Sequence, residues 1–195
     1  QRLLTLNDSS PVGRVLLGFI YLLQKQYELA LAEGERAIAL DPIHAQSHLN
    51  RANVYKMLRR TADAIAGYER AIQLQPRFPE AFNNLAALYN DLSRPDDAIA
   101  CCQRGIEQDP TSAALFANLA TSLQNLGRVD EAIEASRKSV ELRPEGVNEH
   151  TNLLYKLNFN PRYAPAEIFS EHLEWARRHA EPLTAKAVPC TNDRS

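Results

Sequence analysis

The sequence predicts an all-α fold, a right-handed superhelical solenoid of antiparallel helix pairs closed by a C-terminal capping or linker helix. Three observations predict it. Asn50, Asn84, Asn118 and Asn152 stand 34 residues apart. The text around them repeats: His48-Leu49-Asn50-Arg51-Ala52, Phe82-Asn83-Asn84-Leu85-Ala86 and Phe116-Ala117-Asn118-Leu119-Ala120. Pro42, Pro76, Pro110 and Pro144 keep the same spacing. A fixed period in this range marks stacked helical units that bury their apolar faces only against their neighbours.

Taken in order, residues 1–10 fit the tail of a preceding second helix, with Leu3, Leu4 and Leu6 on its inner side. That places the start of the chain inside a repeat and implies further repeats upstream. Four complete units follow in 11–146, framed as 11–44, 45–78, 79–112 and 113–146. Small residues hold place 8 of each frame (Gly18, Ala52, Ala86, Ala120), place 20 (Ala30, Ala64, Ala98, Ala132) and place 27 (Ala37, Ala71, Gly105, Ser139). They let two helices approach closely. Place 11 holds Tyr21, Tyr55, Tyr89 and Leu123, which fill the gap between neighbours. The proline at place 32 ends the second helix, because it has no N–H and disfavours helix before it.

Residues 147–160 read as the first helix of a fifth repeat, and the pattern then breaks at Phe159-Asn160-Pro161. A junction helix is expected within 161–182, reaching about Ala180, with Pro165 at its first helical position. Ile168, Phe169, His172, Trp175 and Ala176 recur at helical spacing, giving one apolar stripe with Trp175 placed to cover the last repeat. From Pro182 the text turns Pro-, Thr-, Asn- and Ser-bearing, and 183–195 reads as linker.

These residues resemble the tetratricopeptide repeat, a 34-residue helix–turn–helix unit. The resemblance covers 11–146. Departures are the missing Trp at place 4 and Gly34, Cys102 and Ser136 in place of an aromatic at place 24. It implies that first helices line a concave groove.

Composition narrows the function. Lys plus Arg number 22 against 24 Asp plus Glu, so no basic stripe marks a nucleic-acid partner. The longest apolar run, Val15–Leu23 with Gly18 inside it, is too short for a membrane span. Cys101, Cys102 and Cys190 form no CxxC pair and read as reduced thiols, which fits a cytoplasmic protein. HExxH, GxSxG, Walker A and GxGxxG are all absent. The expectation is a chain with no cofactor, no metal and no complete active site.

Places 2, 5, 6, 9, 12 and 13 of each first helix are expected to face the groove. Place 6 carries the four asparagines, place 9 adds Asn53 and Thr121, and place 12 adds Lys56, Asn90 and Gln124. An amide offers both a donor and an acceptor, which matches a peptide bond. A column of amides therefore suits an extended or unfolded protein segment without demanding particular side chains. At about 1 kcal/mol each, four such bonds give only about millimolar affinity. The second reading is that the column solvates a helix face or bonds a neighbouring helix.

The tail carries a further resemblance. His150-Thr151-Asn152-Leu153-Leu154-Tyr155-Lys156-Leu157-Asn158-Phe159, Pro165–Ala176 and Arg178–Leu183 resemble the segment joining repeats to catalytic lobes in bacterial members of the SPINDLY / O-linked N-acetylglucosamine transferase family. The resemblance implies a repeat arm whose inner asparagines hold a protein substrate, at Asn50, Asn84, Asn118 and Asn152. It also implies a two-lobed catalytic domain in cis after Ser195, taking a UDP-sugar donor that nothing in this chain binds. His172, with His179 second, would then stand near the acceptor side of the active site. The different-class alternative is a free-standing scaffold or adaptor. Self-association through the convex face or an exposed end is a third reading.

Overall fold

The computed structural model describes residues 10–184. Every regular element among them is helical. The chain divides into two compact units, one ending at Pro110 and one beginning at Thr111.

The first unit holds α1 (Pro11–Leu23), α2 (Tyr27–Leu40), α3 (Ala45–Met57), α4 (Thr61–Leu74), α5 (Pro79–Asp91) and α6 (Pro95–Gln108). Each consecutive pair from α1 to α6 packs together, and α1 also touches α3. Alanines 30, 37, 52, 64, 71, 86 and 98 are fully or almost fully buried, which is what brings the backbones close. Gly67 tightens the α3–α4 contact further: a Cβ there would lie 2.8 Å from that of Ala52. Tyr68 is the one aromatic at place 24, and it is completely buried. Gly34 holds that place in the first repeat, and the space is taken by Arg51, whose Cβ would lie 3.3 Å from a Cβ on Gly34.

The turn between the paired helices is built the same way four times. Lys25, Arg59, Ser93 and Gly127, all at place 15, have φ of 59°, 57°, 55° and 73°. The next residue returns its N–H to the carbonyl of place 11, as in Arg60 to Tyr55 and Arg94 to Tyr89, both 2.9 Å. This is the Schellman closure of a helix C-terminus, where glycine is the usual left-handed residue. Only the fourth repeat uses glycine. The arginines that follow join the turn to both helices. Arg60 stacks over Tyr55 at 4.5 Å and reaches Asp63 at 2.8 Å. Arg94 repeats this with Tyr89 at 4.8 Å and Asp97 at 2.6 Å.

The second unit holds α7 (Ala113–Asn125), α8 (Val129–Leu142), α9 (Val147–Asn158) and α10 (Pro165–Trp175). A π-helical turn (Ala176–Ala180) and α11 (Glu181–Thr184) continue directly from α10. Ser139 ties α8 to α7 by donating to the Ala113 carbonyl at 2.9 Å. The break after α9 is anchored: buried Asn160 donates to Asp130 at 2.9 Å, and Arg162 pairs with the same carboxylate.

The tail differs from expectation in two ways. The helix does not stop near Ala180 but runs to Thr184, through Pro182. The π turn shifts the ladder, so that Glu181 N–H bonds Ala176 O, and a proline follows where the ladder is already offset. Residues 183 and 184, expected in a linker, are thus helical. The apolar stripe is also narrower than expected. Ile168 packs on the core of Ile133, Val140, Leu153 and Leu157, whereas Phe169 is 63% exposed. Trp175 does meet the last repeat, donating from Nε1 to Thr151 at 3.1 Å, and its ring neighbour is His179. The expected preceding-repeat tail lies outside the described residues except for Ser10, which caps α1. The rest of the expected linker, with Cys190, lies outside them too.

Candidate functional site

In the first unit the amide positions meet one another. Asn84 Nδ2 donates to Asn53 Oδ1 at 3.1 Å, linking place 6 of one repeat to place 9 of the repeat before it. Tyr68 donates its hydroxyl to the same oxygen at 2.7 Å. Asn50 Oδ1 accepts from Gln46 at 2.9 Å. Lys56 pairs with Asp91 across repeats at 3.2 Å. Asn50, Asn53, Lys56, Asn84 and Asn90 are all half-buried. Leu49, at the expected groove place 5, is instead fully buried between helices.

An open pocket of about 460 Å³ lies on this face. Val12, Val15, Leu16 and Phe19 of α1 line one side, and His44, Gln46, Asn50, Asn53 and Glu80 line the rest. Its apolar side has a signal in the sequence: places 2, 6, 9 and 13 of the first repeat are Val12, Leu16, Phe19 and Leu23, while later repeats carry mostly polar groups.

In the second unit Asn118 and Gln124 are half-buried, and Thr121 and Asn152 are exposed. Thr121 donates back to the Ala117 carbonyl at 3.0 Å. Beside Asn152 stands buried Lys156, whose ammonium donates to the Asn152 carbonyl at 3.4 Å. Burial pulls its pKa below the ordinary lysine value. A narrow cleft joins Ser136, Ser139, Glu149, Asn152 and Lys156.

The tail histidines separate sharply. His172 is exposed and lies 3.3 Å from the Asn158 amide nitrogen. His179 is buried, with Nε2 3.3 Å from Nδ1 of His150, and the two rings meet edge to face. His150 Nε2 has no hydrogen-bond partner among the described residues and stands 3.8 Å from Glu171, which also pairs with Arg137. Burial, and then the neighbouring His179, push the His150 pKa down. In the first unit, Cys101 and Cys102 are free buried thiols. Burial raises the Cys101 pKa to about 12 and pushes Cys102 up as well. No group of three metal-ligating side chains occurs among the described residues. No helix among them is long and apolar enough to cross a membrane.

Paired helices repeating every 34 residues, closed by the same turn, define a helical-repeat protein. Models of the tetratricopeptide repeat match residues 13–44, 45–78, 79–112 and 101–134. The chain belongs to the tetratricopeptide-repeat (TPR) family, a scaffold for protein interaction. No curated protein matches its sequence. Its fold is similar to that of MamA, at TM-score 0.74 and 16% identity over 92% of this chain and 97% of that one. It is similar to pilF of Pseudomonas aeruginosa, at 0.76 and 20% identity over 87% and 77%. It also resembles YrrB, described as a TPR protein with an unusual peptide-binding site, at 0.64 and 19% identity over 93% and 94%.

Proposed function

We propose that the amide-bearing face of each unit holds extended polypeptide, and that the chain serves as the substrate-presenting arm of a protein O-glycosyltransferase. The observation that carries the first half is the recurrence of neutral amide and hydroxyl groups at the same places of successive first helices. Asn50, Asn53, Asn84 and Asn90 in the first unit, and Asn118, Thr121, Gln124 and Asn152 in the second, recur where neutral hydrogen-bonding groups are useful and a solvated helix face would more often carry Lys and Glu. The solved relative with a peptide-binding site supports the same use of the fold. The second half rests on the resemblance of His150–Leu183 to the junction of that transferase family.

One observation favours the second reading of the column, that it bonds a neighbouring helix. The Asn84–Asn53 bond uses amide capacity within the fold, as a column of purely structural asparagines would. The two readings separate in one experiment. The probe is a fluorescein-labelled twelve-residue peptide of Ser, Thr and Gly, followed by anisotropy. Replacing Asn84, Asn118 and Asn152 together with Ala weakens its binding several-fold and moves the melting temperature little. Unchanged binding with a large fall in melting temperature assigns the column to the fold. The transferase half is tested in a chain extending beyond Ser195. There His172→Ala lowers glycosyl transfer from a UDP-sugar and leaves peptide capture unchanged, and equal turnover removes His172 from the reaction.

A further inference from the structure

The face of the first unit is not uniform, and the pocket at its N-terminal end differs in kind from the amide column. Val12, Leu16 and Phe19 are 54%, 58% and 47% exposed on its wall. Three apolar side chains facing solvent together on one helix are a cost that a bound partner removes. Opposite them the Asn50 amide oxygen is occupied by Gln46, while its nitrogen donates to nothing among the described residues. The remaining charged group in the lining is Glu80, exposed and without an ion-pair partner among the described residues. Lys56 is no substitute, since it is already paired with Asp91.

We propose that this pocket is a selective anchor for an extended peptide of another protein, taking one bulky apolar side chain against Leu16 and Phe19 and a nearby lysine or arginine at Glu80. The volume of about 460 Å³ lies in the range of ordinary ligand sites. Its make-up is that of a recognition pocket, an apolar wall with a few placed polar groups. The free carboxylate selects the charge of the occupant, because an acidic segment would be repelled and a basic one attracted. The backbone of the same peptide lies within reach of the free Asn50 donor. The first repeat then supplies selectivity and the later asparagines supply sequence-tolerant hold. This inference rests on the peptide-binding reading above and adds a residue preference to it.

The test uses the 195-residue chain and the Ser/Thr/Gly peptide as parent. Daughter peptides carry one Phe or Leu and one Arg, at every separation from one to four residues. At least one daughter binds about tenfold tighter than the parent. Leu16→Asn with Phe19→Asn removes the gain from the apolar residue. That variant puts at places 6 and 9 the residue type already standing there in the second repeat, Asn50 and Asn53, so it folds, as an unchanged helical circular-dichroism spectrum verifies. Glu80→Gln removes the gain from Arg and the salt dependence of that gain. Daughters that bind no better than a parent whose binding depends on the asparagines overturn the anchor and leave the backbone reading standing. No binding by any peptide overturns both. Two further outcomes overturn the anchor by naming another occupant. One is a dimer in light scattering that the Leu16/Phe19 variant dissociates. The other is binding that appears only after residues 1–9 are removed.

Discussion

Asn84 donates its side-chain amide to Asn53 at 3.1 Å, and the hydroxyl of fully buried Tyr68 donates to the same oxygen. Place 6 of one repeat is thereby bonded to place 9 of the repeat before it, through the only aromatic at place 24. The two asparagines are not equivalent. Asn53→Ala strands a buried hydroxyl and is expected to cost about 1–3 kcal/mol, while Asn84→Ala leaves Tyr68 satisfied and costs about 1 kcal/mol or less. Chemical denaturation of both variants and the double variant measures this. A double variant equal to the sum of the two would show that the amides are uncoupled.

Three of the four left-handed turn residues carry side chains: Lys25, Arg59 and Ser93. A non-glycine residue there crowds its Cβ against the following carbonyl, whereas Gly127 does not. Arg59→Gly and Ser93→Gly are each expected to raise stability by about 0.5–1 kcal/mol, and Gly127→Ala to lower it by about 1 kcal/mol. Thermal melts of the single variants read the sign directly.

Arg51 stands at place 7, where the other repeats have Leu17, Leu85, Leu119 and Leu153. Its Nε is buried without a hydrogen-bond partner among the described residues, and its stem fills the space beside Gly34. Arg51→Leu keeps the packed stem and removes the stranded donor. A gain of about 1 kcal/mol is expected, with loss of a weak stacking on Tyr55 set against it. A lower denaturation midpoint for this variant would mean that the guanidinium is better satisfied in solution than its burial indicates.

Two imidazoles give the chain an acid limit. His48 donates from Nε2 to the Pro42 carbonyl at 2.9 Å and leaves Nδ1 buried and unpaired among the described residues. Burial holds its pKa below 6.5, as it does for His150. Protons therefore bind the unfolded chain more readily than the folded one. Stability is full above about pH 6.5 and falls as the pH drops through that value towards the folded pKa values. His48→Gln, which keeps a donor for Pro42, flattens the fall contributed by the first unit. Melting temperatures between about pH 7.5 and 5, spanning the ordinary histidine value, measure it.

The repeat itself was legible because its signals are local. Small residues at places 8, 20 and 27 and proline at place 32 act through backbone approach and missing N–H groups, whatever surrounds them. The left-handed place 15 escaped notice because Lys25, Arg59 and Ser93 look like any exposed turn residues, and only Gly127 has the expected chemistry. The apolar lining of the first repeat was equally present in the text. It becomes a pocket wall only where α1 meets His44, Gln46, Asn50, Asn53 and Glu80, a juxtaposition that no spacing within one helix displays.

By itself the sequence determined the helical units, their period and their family, since these follow from spacing along one chain. Only the tertiary structure decided which groups are already spent and which are free. Asn84 and Asn50 look alike in the sequence, but Asn84 gives its amide to Asn53, whereas the Asn50 nitrogen donates to nothing among the described residues. His172 and His179 both fit one helix, but the offset of a π turn leaves one in solvent and buries the other against His150. Such differences depend on distances between residues far apart in the chain, which a repeat pattern does not encode.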